Sequence, residues 1–414
     1  MASPIWRPLQ RVITCRATSA ISRPQIYWSM VNLPLLACLA YLILREKNTL
    51  RLILVILTLW VFYNIYIVNR IKIGTLFHTA CVVLMLACIG FFLCDKTLTF
   101  YILFEIRLIP TLFIVFFFGY QPEKLQASMY LLLYTVLSSL PLLLLFLRCP
   151  PYLRFVSGIF SMWFGLIIRL GFMVKTPIYI VHVWLPKAHV EAPVAGSIVL
   201  AGILLKLGSY GLILFCPLFT RNILILYLSL RVWGSIYCRM ICIRQWDLKR
   251  LIAYSSVVHM GVVTVGVVRG LKVGYQSAVM IVVAHGVCSP MLFALAYLVY
   301  NSSHTRLISR NKGTLSTPVI SFFLFLLLAI NMGVPPSINL WREVLIFVSF
   351  MRIITYSRLF LIVMAFLGVV YNLFMYISLR QSKEFDFLKV DYVYWPTLSA
   401  SVGAFILFPL ASWF

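Results

Sequence analysis

Acidic residues are scarce in this chain. Its 414 residues include 10 Asp and Glu against 35 Lys and Arg, a formal net charge of +25. Charge of either sign is sparse too, at 11% of residues, where a soluble domain carries about 25%. No stretch is long and polar enough to form a soluble domain. The ten cysteines include no C-x-x-C pair. Cys238 and Cys242 lie four apart on an expected helix, without a further Cys or His to complete a metal site. Disulfides, a bound metal and an iron–sulfur cluster are therefore not expected. The sequence also lacks a glycine-rich nucleotide loop, a G-x-S-x-G elbow and an H-E-x-x-H pair. Those absences remove the common nucleotide-binding, hydrolase and metalloprotease classes.

What is present is apolar. Hydrophobic residues make up 63% of the chain, in runs of about twenty that recur from end to end. The pattern predicts an all-α polytopic membrane protein with about thirteen transmembrane helices, since barrel strands would alternate instead. The expected spans are 28–44, 50–69, 76–94, 97–119, 127–147, 156–187, 195–216, 222–241, 250–268, 274–300, 316–350, 358–379 and 393–413. Basic residues are assigned mainly to short loops: Arg45 to Lys47, Arg239 to Arg250 and Arg306 to Lys312. The positive-inside bias and anionic head groups explain such loops better than nucleic acid does. Residues 1–27 are basic and free of acids, as in a mitochondrial targeting peptide or a short basic head before the first span.

Two of the spans are too long for one crossing and are interrupted by proline, at Lys175-Thr176-Pro177 and at Gly333-Val334-Pro335-Pro336. Paired broken helices suggest an antiporter-like inverted repeat with its pathway at the breaks; ordinary proline kinks or re-entrant segments are the alternative. Eight of the ten acids fall at expected loops or helix ends, whereas Glu105 and Glu343 fall inside apolar spans. Lys175 at the first break and Lys206 within IVLAGILLKLGSYGLIL are the matching bases. His259 and His285 add two ionisable rings on neighbouring spans. Ionisable groups at bilayer depth are expensive and mark functional sites by default, the bland alternative being ion pairs that hold helices together. A buried Glu–Lys pair can act as a proton switch, because each partner's charge depends on the other. Tyr254, Ser255 and Ser256 offer hydroxyls that could order water beside His259.

The segments FEIRLIPT, GYQPEKLQAS, FMVKTPIYIVHVWLPKAHVEAPVAGS, LAGILLKLGSYG, DLKRLIAYSSVVHM, AHG and GVPPSINL occur in that order between about residues 97 and 350. Together they resemble the chain 4 family of respiratory complex I (NADH:ubiquinone oxidoreductase), with WLPKAHVEAP the most specific block. The outer segments are similar in hydropathy alone. The family carries fourteen helices, and the expected shortfall lies at the N-terminus.

This resemblance implies a proton-translocating, antiporter-like subunit of the membrane arm, a multi-pass protein of the mitochondrial inner membrane. It implies Glu105 as the acid of the family's fifth helix and Lys175 as its partner on the broken seventh. Lys206 would be the central lysine, His259 and His285 members of the hydrophilic axis, and Glu343 the acid near the proton exit. NADH, flavin, iron–sulfur clusters and ubiquinone would belong to other subunits, leaving no cofactor in this chain. The partners implied are other membrane-arm subunits, antiporter-like neighbours among them, and lipids such as cardiolipin, but no nucleic acid. The chain would divide into a basic segment (1–27), N-terminal spans (28–94), a proton-translocating core (95–380) and a C-terminal loop and span (381–414). The rival expectations are a stand-alone Na⁺/H⁺ antiporter of related fold and a non-pumping scaffold. One departure recurs: Arg107 and Arg342 stand where relatives carry small residues, and Arg45 and Arg169 look similarly misplaced. Real charge compensation and AGA/AGG codons with a reassigned meaning are the two explanations.

Overall fold

A computed structural model describes residues 49–68, 75–119, 122–148, 162–177, 179–215, 224–268, 271–313, 318–335, 337–351 and 357–380. The expected spans 28–44 and 393–413, the basic segment 1–27, Arg45 and the Arg169 side chain lie outside what is described.

The described residues are helical almost throughout. With no water to serve the backbone in a bilayer, each apolar segment must close its hydrogen bonds on itself. In chain order the helices are α1 (Thr49–Val68), α2 (Thr75–Leu93), α3 (Thr97–Ile106), α4 (Leu108–Phe118), α5 (Lys124–Arg148) and α6 (Met162–Lys175). A short α7 (Trp184–Glu191) follows, then α8 (Val194–Val199), a π-helical turn (Leu200–Leu204) and α9 (Leu205–Leu214). The second half comprises α10 (Leu224–Ile243), α11 (Leu248–Val268), α12 (Lys272–Ser303), α13 (Pro318–Met332), α14 (Ile338–Met351) and α15 (Ser357–Arg380). Among the described residues, 7 segments are long and apolar enough to cross a membrane, and Leu50–Ile65 and Ser321–Met332 are shorter apolar helices.

The 32-residue α12 is the central pillar, packed against α1, α8, α11 and α14. Its face from Ile281 to Val299 is buried almost without interruption. At the periphery, α5 and α15 expose Leu137, Leu144, Leu147, Leu359, Ile362 and Phe366. This inverts the soluble pattern, as it must when the solvent is itself apolar.

Both expected breaks fall near where proline placed them. Helix α6 ends at Lys175, and the indole Nε1 of Trp184 donates to the freed Val174 carbonyl at 3.2 Å. Helix α13 ends at Met332, and Gly333 turns the chain with φ +83° before α14 begins. A left-handed residue is what an abrupt helix stop needs, and glycine adopts it without a Cβ clash. The expected loop placement of Arg239 and Lys249 fails. Arg239 lies buried in α10, and Lys249 lies buried in the first turn of α11. Their neighbours in sequence are polar, which disguised two helix ends as one long basic loop.

Candidate functional site

The site begins at the α6 break. Lys175 is the last residue of α6, and its Nζ meets Glu105 Oε1 of α3 at 2.8 Å. The lysine side chain is 4% exposed and the glutamate 21%, so the pair sits at a partly open edge. Phe104 completes the contact: Lys175 Nζ lies 3.4 Å from its ring centroid, and the Arg107 guanidinium lies 4.5 Å from the same centroid. Arg107 interrupts the helical span between α3 and α4, with its Nε donating to the Phe104 carbonyl at 2.7 Å. Glu105 and Arg107 do not pair, as their two-residue separation predicts for a helix.

The second half of the site joins the first through glycine. A Cβ on Gly208 would meet Thr176 Cγ2 at 2.9 Å and the Lys175 carbonyl carbon at 3.2 Å. The absent side chain lets α9 press against the break itself. Two residues earlier stands Lys206, with no exposed surface. No carboxylate meets it among the described residues. Its Nζ donates to the Ala201 carbonyl and lies 2.8 Å from His285 Nδ1. Ala201 belongs to the π-helical turn one turn upstream, where Leu205 N–H reaches back to the Leu200 carbonyl. Such turns open the regular ladder and recur at functional sites.

His285 (α12) and His259 (α11) lie with ring centroids 5.4 Å apart. Asn331 Oδ1 of α13 is 3.1 Å from His259 Nε2, and Arg342 Nη2 of α14 is 3.0 Å from His259 Nδ1. Arginine only donates, so Nδ1 accepts and Nε2 carries the hydrogen given to Asn331. Asn331 in turn donates through Nδ2 to Asn372 Oδ1 at 3.0 Å, which fixes its amide orientation. Five helices, α11 to α15, thereby meet on one imidazole network.

Glu343 is adjacent to Arg342 in sequence but faces elsewhere. It is half-buried and lines a cavity of about 20 Å³ with Arg231, Ser235, Arg239 and Met364. That is room for about one water. The expected residues thus fall into three places: Glu105 with Lys175, Lys206 with His285 and His259, and Glu343 at its own cavity. The expected hydroxyls lie on α11 beside His259. Ser255 and Ser256 donate back to the Ile252 and Ala253 carbonyls of their own helix, at 2.8 and 2.6 Å. In an apolar helix the nearest acceptor is that preceding turn.

Several neighbours were not singled out from sequence. Asn331 was readable, as a lone amide inside SFFLFLLLAINMG. The Ala201 carbonyl was not, because no side chain signals a π turn. At the other end of the broken segment, Lys249 Nζ donates to the Ala192 carbonyl at 3.1 Å and Arg306 Nη1 to the Val190 carbonyl at 2.8 Å. These cations anchor the C-terminal end of α7, where the helix dipole favours positive charge. The sequence signal was the run of basic residues around 250 and 306, read as loops.

Residues 94–371 match the family described as NADH:quinone oxidoreductase/Mrp antiporter, TM. The chain is 41% identical over 321 residues to NADH-ubiquinone oxidoreductase chain 4 of Lumbricus terrestris, covering 74% of this chain and 71% of that one. To the protein of the same name from Albinaria caerulea it is 41% identical over 344 residues, covering 79% and 77%. In fold it is similar to a chain of respiratory complex I from Thermus thermophilus with bound NADH, at TM-score 0.80 and 24% identity over 86% of this chain and 80% of that one. A chain of the Mrp complex from Dietzia sp. DQ12-45-1b is similar too, at TM-score 0.76 and 18% identity over 86% of this chain and 42% of that one.

Proposed function

The chain belongs to the NADH:quinone oxidoreductase/Mrp antiporter membrane family, in its chain 4 branch, and on that premise we propose that it moves protons across the mitochondrial inner membrane as a subunit of NADH:ubiquinone oxidoreductase. The observation that carries the reading is Lys206. It is an ammonium group without exposed surface, bonded to His285, with the His259 ring tilted 55° to that of His285 at 5.4 Å. Structural ion pairs come with an acid, and this lysine has instead a neutral, titratable partner that can exchange a proton with it.

Protons move along Glu105, Lys175, Lys206, His285, His259 and Glu343. Glu105 and Lys175 form the charge pair whose opening changes the field on Lys206. The two histidines pass the proton toward α14, and Glu343 is the acid near the exit. Each proton moved against 100 mV costs about 2.3 kcal/mol, so the energy arrives from electron transfer in other subunits. NADH, flavin, iron–sulfur clusters and ubiquinone are held there, not in this chain. Residues 95–380 form the translocating core between the N-terminal spans (28–94) and the last loop and span (381–414). About thirteen spans in all surround an inverted repeat whose two halves are pivoted at the Lys175 and Gly333 breaks. Neighbouring membrane-arm subunits, antiporter-like ones included, and cardiolipin cover the leucine-rich faces of α5 and α15.

The test is fractionation with function. Inner membranes are solubilised, and this chain should co-migrate with NADH:ubiquinone oxidoreductase activity on native gels. Depleting it should lower the protons moved per NADH oxidised. A chain that fractionates alone and exchanges Na⁺ for H⁺ in liposomes would replace this reading with the stand-alone antiporter.

A further inference from the structure

His189 stands outside the Glu–Lys–His route. It lies in the last turn of α7, without exposed surface. Its ring rests on Phe293 of α12, with centroids 4.7 Å apart and planes 11° from parallel. Both ring nitrogens are buried, and neither meets a hydrogen-bond partner among the described residues. A neutral imidazole presents one N–H and one lone pair, and leaving either unmet in an interior is costly. The contact that holds this ring is made through its face, which leaves the whole polar edge for exchange.

The surroundings give that edge a source and a destination. Lys249 Nζ donates at 3.1 Å to the Ala192 carbonyl, three residues beyond His189. Its neighbour Arg250 is half exposed and pairs with Asp247 at 3.3 Å, so the water edge is one residue away. This end of the bundle also gathers basic loops. Leu248 N–H donates to the Arg306 carbonyl at 3.1 Å and Ile308 N–H to the Trp246 carbonyl at 2.8 Å, joining the α10–α11 turn to the segment after α12. Arg244, Arg250, Arg306, Arg310 and Lys312 cluster there, which the positive-inside bias assigns to the matrix. On the other side of the ring is the Lys206 cluster. The Ala201 carbonyl, which accepts from Lys206, lies 3.4 Å from Ser289 Oγ. Ser289 is one turn from His285 and one turn from Phe293, on one face of α12. Lys249 and Lys206 are the cations whose charge acts on His189, and the His189 charge in turn acts on His285.

We propose that His189 is a further proton carrier of this subunit, taking protons that enter from the matrix side past Lys249 and handing them to Lys206. This role rests on Lys206 being a pumping residue. Neither lysine bonds the ring directly, so each transfer passes through water. The Lys249 ammonium releases a proton that reaches one ring nitrogen, and the opposite nitrogen gives up its own to the neutral Lys206 amine. No bond between heavy atoms changes, and the imidazole finishes as its other tautomer. Lys249 is reprotonated from the matrix.

Two variants test this in the purified complex in liposomes, with Lys206→Met as the control. His189→Phe keeps the stack on Phe293 and removes both nitrogens. His189→Gln keeps a donor and an acceptor but does not titrate near neutrality. Both should assemble on native gels and show NADH-driven acidification about 100-fold slower than the native complex. Native acidification in either assembled variant overturns the proposal; in His189→Gln alone, it would make the ring an anchor for water. Failure of both variants to assemble assigns the ring to packing and overturns it as well. Slow acidification in Lys206→Met beside native rates in both His189 variants removes this role alone, whereas native rates in all three remove the pumping reading itself.

Discussion

Replacing Lys206 with methionine isolates the ammonium from the rest of the side chain. Methionine keeps the unbranched apolar volume that packs against α12, where the Lys206 Cε lies 3.3 Å from the Cβ position of Gly286. What is lost is Nζ, and with it a donor to the Ala201 carbonyl and to His285 Nδ1. A buried group left unsatisfied costs about 1–3 kcal/mol. Against this, a charge no longer has to be held at membrane depth, which relieves about 2.5–3.5 kcal/mol. The two roughly cancel, so Lys206→Met should assemble at near-native levels.

Transport should not survive so well. A proton that rested on Nζ must now cross an apolar position unaided, at a penalty no smaller than that same 2.5–3.5 kcal/mol. This slows the step about 70- to 400-fold. The assay is NADH-driven acidification of liposomes holding the purified complex, with NADH oxidation and native-gel assembly measured on the same sample. The expected result is intact assembly and fewer protons per NADH. Intact assembly with unchanged stoichiometry would refute the argument and leave the chain a scaffold.

The remaining predictions concern the supports of that lysine. Glu105→Gln leaves the Lys175 cation without its 2.8 Å partner. Full burial would make that loss about 3–5 kcal/mol; the partly open glutamate reduces it to about 1–2, and Glu105→Gln/Lys175→Met should recover most of it in thermal melts of the complex. Asn331→Leu strips His259 Nε2 and Asn372 Oδ1 of their partners. It should cost about 1–3 kcal/mol per group and slow pumping, read as a lower melting temperature and proton flux; native values for both would refute the network. Gly333→Ala forces a Cβ into φ +83° and should destabilise the α13–α14 break by about 1–2 kcal/mol, seen as a lower melting temperature of the complex.

The sequence was most legible where the membrane makes polarity costly. Glu105, Lys175, Lys206, His259 and His285 stood out because each interrupts an apolar run, and the fold gathers these into two neighbouring clusters. Proline marked both breaks, since a missing N–H cannot be hidden in hydrocarbon. Pairings were less visible. That Lys206 reaches His285 and not Glu105 depends on helix rotation, which composition does not record. Arg239 and Lys249 were misplaced because hydropathy sees a basic cluster and not the helix ends inside it. The Ser255 and Ser256 hydroxyls donate one turn back along their own helix, a local bond that the sequence does not display.

The π turn at Leu200–Leu204 amounts to one residue more than an α-helical path would use. An α-helix advances about 100° per residue, so that extra residue sets the azimuth of everything downstream in α9. Excising a single residue from 200–204 would leave composition, length and hydropathy nearly untouched while swinging the Lys206 ammonium about a quarter-turn away from His285. The meeting of Lys206 with His285 is thus held by a local miscount in the backbone, invisible to any scan for charged residues.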